Sequence, residues 1–468
     1  MTPPSVYFES AAALGRMLHA RRTTSLALTR GYLDRLRTIG HELNAVVTLM
    51  EDSALAEAER ADDEIRRGRI RSPLHGVPYG VKDLLATRGV PTTWGAEPYR
   101  NQVFDHDATV VRRLRDAGAV LIAKLAMVEL AGGMGYDEAD ASFTGPGLTP
   151  WNRAFWSGGS SSGPGSAVAA GLVGFAIGSE TSGSILTPSA FCGVTGLRPT
   201  YGLVSRHGAM ALSWTLDKLG PMCRSAEDCA LVLQAIAGRD PKDATSVARR
   251  FRWQRPERRA RKLRVLVPKG CVEKVQPEVR SAFEASLHEL EAFATIEHDV
   301  EWPDFPWGPS VGTIVDAEGA AAFLSLIESG DLAKLRCPAD RIGGYSSMLT
   351  PAVDYVQALR VRAPMKRAVN ALFQKCDMIA SPTRASVSYP IDKKFRDAYP
   401  DVSGGPALIP AGNLCGLPAV CLPNGFGQHG LPTSLTLMGP AFSESLLLEA
   451  AYRLQLVTEW HRQQPQLA

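Results

Sequence analysis

The sequence has no apolar run long enough to cross a bilayer. Its longest nearly apolar stretch, Ala167 to Gly178, has 12 residues with Gly171 and Gly174 inside it, against the roughly 20 that a spanning helix needs. The opening text MTPPSVYFESAAALGRMLHARR lacks the basic start and continuous apolar core of a secretory signal, so a cytoplasmic protein is expected. A strong charge of one sign is missing too: 51 Lys and Arg against 48 Asp and Glu leave +3, too near neutral for the whole chain to be a polyanion binder. The eight cysteines include no C-x-x-C pair, which fits reduced, mostly buried thiols rather than a disulfide framework. The nine histidines form no H-E-x-x-H or H-x-E pattern, so no metal is expected.

What is present is a change of texture along the chain. Residues 1–70 read as helices, because Ala11, Leu14 and Leu18, then Leu26, Tyr32, Leu33 and Leu36, recur at three- and four-residue steps, with Ser10 and Thr24 or Ser25 available as N-caps. From Pro73 short apolar runs alternate with helix-like text, as in VPYGVKDLL, ATVVRRLRDAG and AVLIAKL, the pattern of an α/β sheet. Residues 132–165 form a long Gly, Ser, Thr and Pro segment, long enough to suspect a function. Residues 240–400 are more polar, with a strand expected at 264–268 and a helix at 277–293. The C-terminal part returns to strand-like text and closes on a helix in SESLLLEAAYRLQLVTEWHRQ. Residues 249–264 (RRFRWQRPERRARKLR) hold nine Arg or Lys and one Glu, a local basic run whose ordinary reading is a solvated loop.

Three places carry chemistry: Lys82 between apolar neighbours, the serines 160–162 in GGSSSGPGS, and Ser184 in SETSGSILTP. Each alone reads as structure, a lysine that snorkels to water or a plain loop. Together they suggest more. A serine hydroxyl needs a base, and a lysine whose pKa is lowered by burial supplies one without histidine. A second serine can bridge the two, and backbone N–H groups of a Gly-containing turn can receive the oxyanion of acyl transfer.

On GVPYGVKDLL, GGSSSGPGSAVAAGL, GSETSGSILTPSAFCGVTGLRPTYGLVSRHG, SWTLDKLGPMCRSAEDCA and the closing NLCGLPAVCLPNGF and GLPTSLTLMGPAF, the chain resembles the amidase signature family of Ser–cisSer–Lys hydrolases, over nearly its full length. The resemblance implies an α/β fold with one large domain over 1–468, a central mixed twisted sheet covered by helices on both faces. Within it lie an N-terminal helical layer (1–70), a signature core (71–235), a variable substrate-shaping segment (236–400) and C-terminal strands and helix (401–468). It implies Lys82 as general base, Ser160 as bridging serine after a cis Gly159–Ser160 bond, and Ser184 as acyl-forming nucleophile. The N–H groups of Thr181, Ser182, Gly183 and Ser184 would form the oxyanion hole, and no metal or organic cofactor would be required. The expected reaction is hydrolysis of an amide C–N bond, with carbamates (urethanes) or esters as further candidates, by a stand-alone monomer or homodimer without nucleic-acid or membrane partner.

Three departures from the family pattern matter. Leu186 stands where the family usually has an arginine, Glu180 where Asp is common, and the serine loop reads SSSGPGS rather than SSGGS. Losing the arginine makes an apolar acyl or leaving group the expectation, with Met134, Tyr136 and Phe143 as candidate lining of an apolar pocket.

Other readings compete. Gly159 to Gly163 formally satisfies G-x-S-x-G, which would make Ser161 the nucleophile, but WNRAFWSGG before it does not read as the strand an elbow requires. Gly163-Pro164-Gly165 lacks the rest of a phosphate-binding motif. The second functional reading is a glutaminase-type subunit of a tRNA-dependent amidotransferase, in which Phe251 and Trp253 among the arginines of 249–264 would meet RNA.

Overall fold

The computed structural model describes residues 4–256, 261–406 and 408–467. The N-terminal helices form where the periodicity predicts them. Ser10 Oγ accepts from Ala13 N at 3.1 Å to cap Ala11–His19, and Thr24, not Ser25, caps Ser25–Arg35 by accepting from Ala27 N at 3.1 Å. The charged helix Glu51–Arg66 buries only its Ala54, Ala58, Ala61 and Ile65 stripe. The N-terminal layer is not helical throughout, however: β1 (Val46–Leu49) lies between these helices as an edge strand.

Ten further strands complete one sheet: β2 (Pro78–Lys82), β3 (Val120–Leu125), β4 (Phe175–Glu180), β5 (Thr195–Arg198), β6 (Lys218–Cys223), β7 (Leu263–Pro268), β8 (Ala294–Val300), β9 (Met378–Pro382), β10 (Ala419–Phe426) and β11 (Pro432–Met438). Their order is β1-β3-β2-β4-β6-β5-β10-β11-β9-β7-β8. The sheet is mixed: β2 runs parallel to β3 and β4, and β7 parallel to β8 and β9, while the remaining neighbours are antiparallel. Every residue of β2, β3, β4 and β6 is buried. Since successive side chains point to opposite faces, both faces of the sheet must be covered there.

The expected strand at 264–268 is β7, and the expected helix at 277–293 is Pro277–Glu291. The polar segment 240–400 therefore supplies three strands to the sheet as well as the long helices Trp307–Ala322 and Ala352–Leu372. The C-terminal β10 and β11 return to mid-sheet beside β5, and the helix Glu444–Gln455 buries Leu447, Leu448, Ala451 and Leu454 behind them. All eight cysteines are free and buried. Among the described residues no helix is long and apolar enough to cross a membrane.

In the basic stretch, residues 257–260 lie outside the described residues. Of the rest, Phe251 is buried, Trp253 packs edge-on against Tyr452, Arg255 pairs with Glu227 and Arg261 forks onto Asp377. The two aromatic rings that the amidotransferase reading would set against RNA are thus engaged in packing, because an indole or phenyl ring gains more from apolar burial than from exposure.

Candidate active site

Lys82 closes β2, which runs between β3 and β4, and stands opposite Leu125 of β3. Flanked on both edges and covered on both faces, its side chain is fully buried. Its Nζ lies 2.7 Å from Ser160 Oγ and 2.9 Å from Ser179 Oγ. Burial pushes the ammonium down to about 7 from its ordinary 10.5, against the opposing pull of the Asp217 and Glu180 charges. Of its two hydroxyl partners, Ser160 is the one the sequence singles out, and Ser179 is one it passes over. The signal for Ser179 lay in strand register: Val81 faces Ile177, so Ser179 falls just beyond the end of β2.

Ser160 sits in the loop before the helix Ser162–Ala169, and the Gly159–Ser160 peptide is cis, as the resemblance implies. Its carbonyl accepts from Val128 N at 3.1 Å. Gly159 has no room for a side chain, since a Cβ would stand 2.7 Å from Trp156 Cζ2 and 2.8 Å from Val128 Cγ2. Ser161 is committed to structure. Its Oγ donates to Ser179 O at 3.2 Å and accepts from Ser179 N at 3.3 Å, while its N–H donates to Ser184 O at 3.3 Å. No strand immediately precedes this loop, so the elbow geometry that would make Ser161 a nucleophile is missing.

Ser184 follows β4 in a turn made by Gly183, whose φ of +92° suits glycine. The turn is held from behind by Glu180. Its Oε2 accepts from the N–H groups of Ile185 (3.0 Å) and Leu186 (3.1 Å), and its Oε1 accepts from Arg198 Nη1 and Asn413 Nδ2, both at 2.9 Å. Burial alone would raise this carboxyl, but Arg198, Lys218 and these donors outweigh it and hold it below its ordinary range. A glutamate in the place of the family's aspartate therefore braces the turn rather than loosening it. Thr181 Oγ1 donates to Asp217 at 2.7 Å, fixing the other end. Among the described residues, the N–H groups of Thr181, Ser182, Gly183 and Ser184 donate to no protein acceptor.

Met134, Tyr136 and Phe143 are engaged in packing and are not part of the wall of the cavity that opens beside Leu186. Met134 is buried against the helix Asp340–Ser347, and Phe143 lies under the Arg100 guanidinium at 4.8 Å. Tyr136 packs edge-on against Trp156 and Phe395. Of this group only Phe395 reaches the wall of a cavity of about 340 Å³ that opens beside Leu186 and Ile409.

The family model Amidase matches residues 27–448. The chain belongs to the amidase family. This family member is 36% identical, over 99% of both chains, to the A subunit of the glutamyl-tRNA(Gln) amidotransferase of Moorella thermoacetica. Its fold matches a solved chain from a vestigial protein complex that reveals the evolutionary origins of an s-triazine catabolic enzyme, with a TM-score of 0.87 and 29% identity over 96% of this chain and 98% of that one. It also matches native peptide amidase from Stenotrophomonas maltophilia, with a TM-score of 0.81 and 31% identity over 96% and 97% of the two chains. It is therefore an amidase-family enzyme acting on carbon–nitrogen bonds.

Proposed function

We propose that the chain cleaves an amide C–N bond through an acyl-enzyme on Ser184, with Lys82 and Ser160 relaying the proton. The observation that carries this reading is the fully buried Lys82, its ammonium depressed to about 7 and its Nζ 2.7 Å from Ser160 Oγ. Such an amine is neutral in part at physiological pH and can accept a proton. In the first step Lys82 takes the Ser160 proton as Ser160 takes that of Ser184, and Ser184 Oγ bonds to the carbonyl carbon. The carbonyl oxygen becomes an oxyanion, received by the N–H groups of Thr181, Ser182, Gly183 and Ser184. Collapse breaks the C–N bond, and the relayed proton returns through Ser160 to the leaving nitrogen. Water then attacks the ester under the same relay, releasing the acid and restoring Ser184.

Full-length similarity to one component of a tRNA-dependent amidotransferase supports the glutaminase-type reading more than a stand-alone hydrolase of apolar amides. In that reading glutamine is the amide and the ammonia passes to a partner's reaction. The packing of Phe251 and Trp253 removes the RNA contact from its support, so the reading rests on the similarity alone. The test is hydrolysis of glutamine, aliphatic and aryl amides and an aryl carbamate by the purified chain, with and without partner subunits recovered alongside it. Loss of turnover by at least about 10³-fold in Ser184→Ala and Lys82→Ala is expected. Activity that survives Ser184→Ala refutes the nucleophile. Turnover of glutamine only with a partner supports the glutaminase-type reading, and turnover of other amides by the chain alone supports the stand-alone enzyme.

A further inference from the structure

The turn that follows β3 is strained. Leu130 and Ala131 both stand in the left-handed region, with φ of +51° and +57°, a conformation that residues other than glycine keep only where their surroundings impose it. The turn bears directly on the site, since Val128 N donates to Ser160 O at 3.1 Å and Ala131 N closes back onto Val128 O at 3.0 Å. The group that imposes it is Glu129. Its carboxyl is buried, and Oε2 and Oε1 accept from Arg336 N and Cys337 N, 207 and 208 residues on, both at 2.9 Å. Cys337 O in turn accepts from Asp340 N at 3.1 Å, at the start of the helix Asp340–Ser347. That helix lies so close to the turn that a Cβ on Gly343 would overlap Met134 O.

Asp340 is fully buried, and neither of its carboxyl oxygens has a hydrogen-bond partner. Its neighbour is the Glu129 carboxyl. Among the described residues no Lys, Arg or His nitrogen lies within 4.0 Å of either acid: Arg336 pairs with Asp140, Lys394 with Asp137, and Arg341 donates to Leu335 O and Arg336 O. Cys337 Sγ lies 3.9 Å from Asp137. On the elements packed against the helix, Asp316 accepts from Ser347 Oγ at 3.4 Å, Glu318 from Tyr355 Oη at 2.9 Å, and Asp331 pairs with Lys334 at 2.8 Å. Two carboxyls in one buried site cannot both ionise. Burial and the Glu129 charge accordingly hold Asp340 far above the ordinary carboxyl range. Glu129 is also raised by burial, but its two N–H donors favour its charged form.

We propose that Glu129 and Asp340 hold one proton between them and that this proton fastens the 336–340 segment to the strained turn, making Asp340 a positioning residue for Ser160. The protonated oxygen of Asp340 donates to the Glu129 carboxylate, which keeps its two main-chain donors. Loss of the proton in alkali sets two buried charges against each other, lets the turn relax towards ordinary φ, and draws Ser160 away from Lys82. The inference goes beyond the proposed hydrolysis and rests on it only in taking turnover as the report on Ser160.

Asp340→Asn tests it, because an amide of the same shape donates to Glu129 at every pH. The unfolded chain loses the Asp340 proton near its ordinary 3.8, whereas the folded chain keeps it into the alkaline range. Native stability is therefore expected to fall relative to Asp340→Asn as pH rises from about 5, by about tenfold in the folding equilibrium per pH unit. Urea midpoints of both proteins from pH 5 to 10.5 read this without turnover. The kcat of the native chain is expected to drop about tenfold between pH 8 and 10.5, a drop absent from Asp340→Asn. Glu129→Gln, whose amide donates to an ionised Asp340, is expected to lose the alkaline drop as well, with lower turnover throughout because one of its two N–H donors goes unmatched. A stability difference between native and Asp340→Asn that stays constant with pH overturns the shared proton. An alkaline drop in kcat that persists unchanged in both variants overturns the positioning role. A missing rise of activity around pH 7 would instead count against Lys82, leaving the stability comparison readable by itself.

Discussion

Replacing Lys82 by methionine should stabilise the protein at neutral pH while removing its proposed base. Holding the Lys82 ammonium at about 7 instead of 10.5 costs the folded state about 4–5 kcal/mol at pH 7, because one pH unit is worth about 1.4 kcal/mol. The sign follows from proton counting. Between about 7 and 10.5 the unfolded chain carries a proton on Lys82 that the folded chain lacks, so native stability rises with pH across that window. Below about 7 both states carry it and the cost is constant. Methionine fills a similar volume with no charge, but leaves Ser160 Oγ and Ser179 Oγ without their shared partner, a loss of about 1 kcal/mol each. Lys82→Met should therefore be more stable than the native chain by about 2–3 kcal/mol at pH 7 and less stable by about 2 kcal/mol at pH 10.5. Urea midpoints of both proteins, taken at steps from pH 6 to 10.5, measure the difference directly. A stability difference that does not change with pH, or a native chain more stable throughout, would refute the depressed ammonium and with it the argument for a neutral base.

The proposed base also predicts a pH–rate profile: kcat/KM of the native chain should climb about tenfold per pH unit below 7 and level off above it, as Lys82 loses its proton. A profile that is flat from pH 5 to 9 would speak against Lys82. Arg198→Met should cost about 3–5 kcal/mol, since it strands the buried Glu180 charge, and should lower turnover through the loosened Ser184 turn. Thermal melting and kcat measured on the same preparation check both effects. Gly163→Ala should destabilise by about 1–3 kcal/mol or more. The added Cβ would meet Ala126 N and Ala45 O at 2.5 Å and Ala126 O at 2.6 Å, all backbone atoms that cannot rotate away, and a melting temperature within about 1 °C of native would contradict that packing.

Much of the frame was legible in the chain itself. Apolar runs bounded by Gly and Pro marked β2, β3 and β7, because a strand buried on both faces must be apolar at nearly every position. Caps and three- to four-residue spacing marked Ala11–His19 and Ser25–Arg35. β1 escaped notice because an edge strand of four residues between helices leaves too short a pattern to separate from helix spacing. Phe251 and Trp253 fall in a run whose ordinary reading is a solvated loop, yet the rings found apolar neighbours while Arg252 and Arg255 beside them stay exposed.

The identities of Lys82, Ser160 and Ser184 came from the sequence, since they sit in short local motifs whose order along the chain carries the resemblance. What those groups are able to do was decided by tertiary structure. Lys82 is depressed because the sheet and its covering helices exclude water from it, and its hydroxyl neighbours come from positions 78 and 97 residues away. Glu180 braces the Ser184 turn and is itself held by Asn413, 233 residues on. The cavity beside Leu186 brings together Arg198 from β5, Arg384 from just after β9 and Arg396. Desolvation and electrostatics sum over everything nearby in space, whatever its distance along the chain, so one position such as Leu186 could name a missing arginine without revealing the charge that surrounds it.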